Sequence, residues 1–136
     1  MKIVLDTNVL LVSVSSKSPY HWVYKALIDG QYNLYVTDEI LNEYEEKIEQ
    51  HWNSEAAKSV IRTLLELPNV HFKTIYYKLN LIVKDADDNK FVDCSFAAQA
   101  NAIVTEDKDF NNLKEVEFPK FEVWTIKQFK IRYKGN

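Results

Sequence analysis

Three apolar runs in this chain are short, continuous and end on an acid or a hydroxyl. They are Ile3-Val4-Leu5 before Asp6, Leu34-Tyr35-Val36 before Thr37, and Ala102-Ile103-Val104 before Thr105. Runs of this kind suit strands covered on both faces, as in a parallel sheet. Phe121 to Trp124 reads as a last strand. Val70 to Tyr77 has strand-like content, and Asn80 to Val83 continues as an extended segment.

Between these runs the apolar residues recur at helical spacing. Val9 to Val14 predicts a first short helix. Tyr20, Val23, Tyr24, Leu27 and Ile28 predict a second, opened by Ser18 and Pro19 and closed at Gly30. A third runs from Asp38 to Trp52, with Thr37 as its cap and Ile40, Leu41, Tyr44 and Ile48 as its buried stripe. At about 100° per residue, Glu43 lies on the margin of that stripe, while Glu39, Glu46 and Glu49 point farther away. Ser54 is suited to cap a fourth helix containing Val60, Ile61, Leu64 and Leu65, which stops before Pro68. The polar stretch Lys84 to Lys90 carries three acids and leads into a helix with Phe91, Val92, Cys94, Phe96, Ala97 and Ala100. Lys127, Lys130, Arg132 and Lys134 make the final helix or tail basic. The alternation of strand and helix argues for a parallel sheet with helices on both faces.

With 136 residues the chain suits a single domain, 1–136, with a real core. Its 46% hydrophobic and 27% charged residues are the balance of an ordinary soluble protein. Two Gly and three Pro leave no room for a low-complexity linker. No apolar run approaches the roughly 20 residues of a membrane span, and no signal peptide is evident at the N-terminus. The single cysteine, Cys94, excludes an internal disulfide framework and a Cys-rich zinc site. A cytoplasmic location is expected. The net charge of −3 is not the footprint of a protein that holds nucleic acid by bulk electrostatics. If a phosphate backbone is the substrate, local lysines or bound cations must offset the acids. Eight Tyr, seven Phe and three Trp exceed what one small core needs. The aromatic helix Tyr20 to Ile28 therefore suggests a homodimer or a complex with another protein.

Acids gather where ligands bind in open α/β sheets, at the carboxyl ends of strands. Asp6 ends the first strand, Glu43 follows the second, Asp93 lies early in a helix beside the sheet, and Asp107 follows Thr105 by two. One aspartate could merely cap a helix. Four carboxylates in one site repel each other, and a hard divalent cation resolves the repulsion. Mg²⁺ and Mn²⁺ prefer such oxygen ligands. Two such ions, about 3.5–4 Å apart, can activate a water and stabilise the leaving oxygen in phosphodiester cleavage. An aspartate-nucleophile phosphatase would need a second acid two residues after Asp6, where Asn8 stands. A phosphoacceptor receiver domain would need an acid beside the first and a lysine at the end of its last strand.

The opening Ile-Val-Leu-Asp-Thr-Asn-Val-Leu, residues 3–10, resembles the first motif of PIN-domain nucleases. Residues 104–110, Val-Thr-Glu-Asp-Lys-Asp-Phe, are similar to their late T-x-D-x-D-F motif. Residues 88–94, Asp-Asn-Lys-Phe-Val-Asp-Cys, are similar to the segment before the third acid in a bacterial, VapC-like branch of toxin components. The resemblance implies a three-layer α/β/α sandwich around a parallel sheet and metal-dependent endonucleolytic cleavage of RNA. It implies that Asp6, Glu43, Asp93 and Asp107 bind Mg²⁺ (or Mn²⁺), with Asp109 replacing or assisting Asp107. Asn8 and Thr105 would be supporting polar residues, and Asp88 would either assist the site or start its helix. Lys17, Lys90 and Lys108 are candidate phosphate contacts or ordinary surface lysines. The implied partners are an RNA substrate and an antitoxin protein. A housekeeping RNA-processing nuclease and a non-catalytic PIN-like binding module are the alternatives.

Overall fold

The continuous apolar runs become the centre of one parallel sheet. The computed structural model describes residues 1–82, 86–117 and 119–134. Val83 to Asp85, part of the extended segment and polar stretch expected above, lie outside the described residues. The elements in chain order are β1 (Lys2–Leu5), α1 (Thr7–Ser13), α2 (His21–Ile28), β2 (Asn33–Val36), α3 (Asp38–His51), α4 (Ser54–Glu66), β3 (Val70–Phe72), α5 (Asn89–Ala98), β4 (Ala102–Val104), β5 (Val123–Trp124) and α6 (Ile126–Lys134). Short 3-10 stretches cover Ala86–Asp88 and Lys108–Glu115.

The strand order is β3-β2-β1-β4-β5, with every pairing parallel. The fold is the expected α/β/α sandwich. Ile3, Val4, Leu5, Leu34, Val36, Ile103 and Val104 are fully buried. After β1 the chain builds outward through β2 and β3 on one side, then returns to build β4 and β5 on the other. The switch falls between β1 and β4, where the crevice of such sheets opens at the carboxyl ends of the strands. Leu5 pairs with Val104, so Asp6 and Thr105 emerge side by side.

Local signals set most boundaries. The Thr37 hydroxyl accepts from the Ile40 N–H at 3.2 Å and opens α3. Gly30 takes φ of 75° just past α2, a backbone conformation that favours glycine. Two expectations change. Asn53, not Ser54, caps α4: its side-chain oxygen accepts from the Ala56 N–H at 2.8 Å. The strand expected over Val70 to Tyr77 stops at Phe72. Its partner β2 ends at Val36, whose carbonyl takes a last bond from the Lys73 N–H at 2.9 Å. Beyond that point the segment pairs with no strand among the described residues, and Asn80 at φ 53° breaks any extended run.

The aromatic surplus is mostly internal. Trp22 packs against Phe129 and Tyr133, with ring centroids 5.2 and 5.6 Å apart. Tyr24, Tyr32, Tyr44 and Trp124 are buried. On α2 and its start, exposed apolar surface is left only at Tyr20 and Ile28, so that helix offers little to a homodimer; the other exposed aromatic residues, Trp52, Phe72, Tyr76, Tyr77 and Phe96, lie elsewhere. No helix among the described residues is long and apolar enough to cross a membrane.

Tyr44 ties α3 to the sheet just below the candidate site. Its fully buried hydroxyl donates to the Leu5 carbonyl at 2.6 Å. Tyr44→Phe keeps the ring and removes this bond, and should cost about 1–2 kcal/mol of unfolding free energy. Urea unfolding checks this; an unchanged midpoint would mean the hydroxyl does not anchor the helix.

Candidate active site

Asp6 stands at the start of α1, yet its side chain makes no capping hydrogen bond to the helix. Its Oδ2 instead accepts from the Thr105 hydroxyl at 2.7 Å. The same hydroxyl oxygen accepts from the Asp107 N–H at 3.0 Å. Thr105 thus links the acid after β1 to the acid after β4, and it is itself buried. The Asp107 carboxylate accepts from the Asp109 N–H at 2.9 Å and caps the 3-10 stretch that follows.

One carboxylate oxygen each from Asp88, Asp107 and Asp109 lie within 4.8 Å of one another. Asp6, Asn8, Glu43, Asp87, Asp88 and Asp107 share the lining of an open hollow of about 450 Å³. Glu43 is held on two sides. The Thr7 hydroxyl donates to its Oε2, and Lys90 Nζ lies 2.8 Å from its Oε1. Thr7 directly follows the first acid, and its short hydroxyl side chain is of the kind that can hydrogen-bond a carboxylate. Oxygen donors converging from several elements fit a hard divalent cation. Asp88, Asp107 and Asp109 have carboxylate oxygens close enough to hold one, and Asp6 lines the same hollow as Asp88 and Asp107.

The structure does not bring Asp93 into this group. Asp93 is buried, accepts from the Leu79 N–H at 3.0 Å, and faces a neighbouring hollow lined by Lys73, Lys78 and Asn80 among others. Asp88, which does line the acid hollow, sits at the head of α5. Five residues along a helix turn a side chain about 140° and carry it about 7.5 Å along the axis, so the two acids cannot face one hollow. The signal for Asp88 was its position as the last acid of the polar stretch, directly before the helix.

The profile of the PIN domain family matches residues 2–109, most of the chain. The chain belongs to the PIN domain family. No curated protein matches it. Among solved structures it is similar to a chain of VapBC2 from Rickettsia felis, in a crystal structure bound to a DNA fragment from their promoter. The TM-score is 0.64 at 14% identity, over 92% of this chain and 98% of that one. At that identity the likeness is one of fold.

The lysines of this PIN domain differ in what they do. Lys90 pairs with Glu43 and donates to the Asp87 carbonyl at 2.7 Å, so it already has partners inside the protein. Burial alone would lower its pKa, but the Glu43 hydrogen bond and the charges of Glu43, Asp87 and Glu39 outweigh burial and raise it. Lys17 and Lys108 are exposed, Lys17 in the loop after α1 and Lys108 beside Asp107.

Burial raises the Asp6 carboxyl; the Thr105 hydrogen bond opposes this, and the charges of Asp107 and Glu43 add to it, leaving the pKa at about 6. Burial also raises Asp93, against the Leu79 hydrogen bond and the Lys78 charge, with Glu39 adding to the rise. The expected mutual repulsion of Asp6 and Asp93 is therefore not the cause; each is raised first by its own burial.

The sign of the Asp6 effect is testable. Below the ordinary value of 3.8 both folded and unfolded states hold the proton, and Asp6 costs nothing. Between 3.8 and about 6 the unfolded chain ionises first, so stability falls as pH rises. Above that window the cost is complete, at most about 3 kcal/mol. Asp6→Asn keeps an oxygen for Thr105 and never ionises. In EDTA at neutral pH it should melt higher than wild type, and the gap should close as pH falls toward 4. A gap independent of pH would contradict this account of Asp6.

Proposed function

We propose that this PIN domain is a metal-dependent endoribonuclease and the toxin component of a toxin–antitoxin pair. The observation that carries the nuclease reading is the cluster of Asp88, Asp107 and Asp109 carboxylates at the switch point of the sheet, with Asp6 joined to Asp107 through Thr105. The fold likeness to a chain of VapBC2 supports the toxin role and an antitoxin protein as partner.

Asp6, Asp88, Asp107 and Asp109 are assigned to hold Mg²⁺ or Mn²⁺. Once bound, such a cation supplies the positive charge that lowers the pKa of a water and stabilises a leaving oxygen. Thr105 fixes the Asp6 oxygen and the Asp107 backbone relative to each other, so the acids are aimed before the substrate arrives. Glu43 is fixed by Thr7 and Lys90 at the rim of the same hollow. Asn8, exposed on the first turn of α1, offers its amide to a ribose or phosphate oxygen. Raised by burial and its neighbours, the Asp6 carboxyl passes from acid to carboxylate near pH 6 in the cation-free protein, so cation binding is expected to release a proton in slightly acidic solution.

Purified protein should cut unstructured RNA with Mg²⁺ or Mn²⁺ and stop with EDTA. Asp6→Asn, Asp88→Asn and Asp107→Asn should each lower the rate by about 100-fold or more, as loss of a cation's charge in the transition state implies. Asp93→Asn should lower it by less than about tenfold, because its carboxylate faces another hollow. Added Mg²⁺ should raise the melting temperature of wild type and do so much less for Asp88→Asn. Cutting that persists in EDTA would refute the metal-dependent reading. Asp93→Asn as inactive as Asp88→Asn would restore Asp93 to the site.

A further inference from the structure

Between β3 and α5 the chain passes through Lys73, Thr74, Ile75, Tyr76, Tyr77 and Lys78 without regular structure. Tyr76 is 83% exposed and Tyr77 74%, the two most exposed large apolar residues among those described. A single exposed ring is ordinary. Two in succession between lysines, on a segment that the sheet edge has released, is a more specific pattern. Lys73 and Lys78 line the hollow that Asp93 faces. That hollow adjoins the acid hollow, since Glu39 and Lys90 line both. On its other side, Tyr76 and Tyr77 line a further hollow that also includes Lys73 and Asp93. The tyrosine hollow thus shares walls with the Asp93 hollow, and that one with the acid hollow.

We propose that residues 73–78 form a platform that holds a single-stranded stretch of the nucleic-acid substrate beside the acid hollow, with Tyr76 and Tyr77 stacking on bases and Lys73 and Lys78 pairing with phosphates. The inference rests on the nuclease reading above and names the form of substrate it takes. Single strands bind through stacked aromatic rings combined with positive charge along the backbone. A duplex keeps its base faces stacked on each other, so an exposed tyrosine pair has little to grip there. Two tyrosines would also suit a protein partner, but lysine is depleted from protein interfaces, and the hollows beside the rings adjoin the one that holds the acids. The arrangement also answers the net charge of −3: with too little bulk attraction, affinity has to come from stacking and a few local cations.

Binding of a short fluorescein-labelled oligouridine, followed by anisotropy on Asp88→Asn protein in EDTA so that nothing is cut, tests the platform. Tyr76→Ala and Tyr77→Ala should each weaken binding about 5- to 100-fold, the loss expected for one base stack. Tyr76→Phe and Tyr77→Phe should retain most of it, because the ring rather than the hydroxyl does the stacking. Lys73→Ala and Lys78→Ala should each flatten the slope of log affinity against log salt by about 0.7. Both rings lie outside the core, so melting temperatures should hardly change. Equal binding by the alanine variants and their parent overturns the proposal, as does a parent that binds no oligouridine. Loss of a co-purifying protein on Tyr76→Ala with RNA binding unchanged also overturns it, and assigns the rings to a protein partner. The two readings fail separately. Ring-dependent RNA binding by a protein that never cuts RNA leaves the platform and refutes the nuclease. Metal-dependent cutting with unimpaired binding by the tyrosine variants does the reverse.

Discussion

The parallel pairing of β1 with β4, Leu5 opposite Val104, is the constraint from which the site follows. Two buried apolar strands in this register must release their next residues, Asp6 and Thr105, at the same edge. The Asp6 N–H then bonds the Val104 carbonyl at 3.0 Å, and the Thr105 hydroxyl bonds the Asp6 carboxylate. A slip of one residue would turn every side chain of β1 to the opposite face and separate the pair. The hydrophobic core therefore stabilises the fold and also positions a carboxylate and a hydroxyl that have no apolar reason to meet.

That placement has an electrostatic cost which the protein meets unevenly. Glu43, near the rim, has Lys90 as a counter-charge and the Thr7 hydroxyl as a donor. Asp6, deeper in, is raised to about 6 chiefly by its burial, with the charges of Asp107 and Glu43 adding to the rise and the single Thr105 hydroxyl bond opposing it. Such carboxylates are destabilised by burial and by each other, and a bound cation relieves both effects at once. The same imbalance makes the acid hollow a poor place for a bare phosphate backbone. Positive charge and ring surface lie instead beside it, on the segment that leaves β3.

The edge position of β3 explains why that segment is available. β2 supplies hydrogen-bond partners only as far as Val36, so the chain after Phe72 has no strand to follow. Its tyrosines stay outside the core. Trp22, Phe129 and Tyr133 behave differently because α2 and α6 stack their rings on each other. Aromatic residues of similar character thus end in opposite environments, according to whether a second element covers them.

The fold was largely written in local patterns. Continuous apolar runs ending at Asp6, Thr37 and Thr105 marked the buried parallel strands, and the spacing of Ile40, Tyr44 and Ile48 marked the inner face of α3. Two of the candidate acids, Asp6 and Asp107, could be named because each follows a strand, and the end of a strand is a position that sequence can locate. Asp88 and Asp93 could not be told apart in the same way. They belong to one polar-to-apolar transition, and the choice depends on where α5 starts and how it is rotated against β1, β2 and β4. Whether Val70 to Tyr77 was strand or surface depended equally on the length of β2, a partner distant in sequence. Periodicity reports which residues face inward within an element; it carries no information about which neighbours the element meets, and those neighbours decided which hollow Asp88 and Asp93 each line, the Glu43–Lys90 pair and the exposure of Tyr76 and Tyr77.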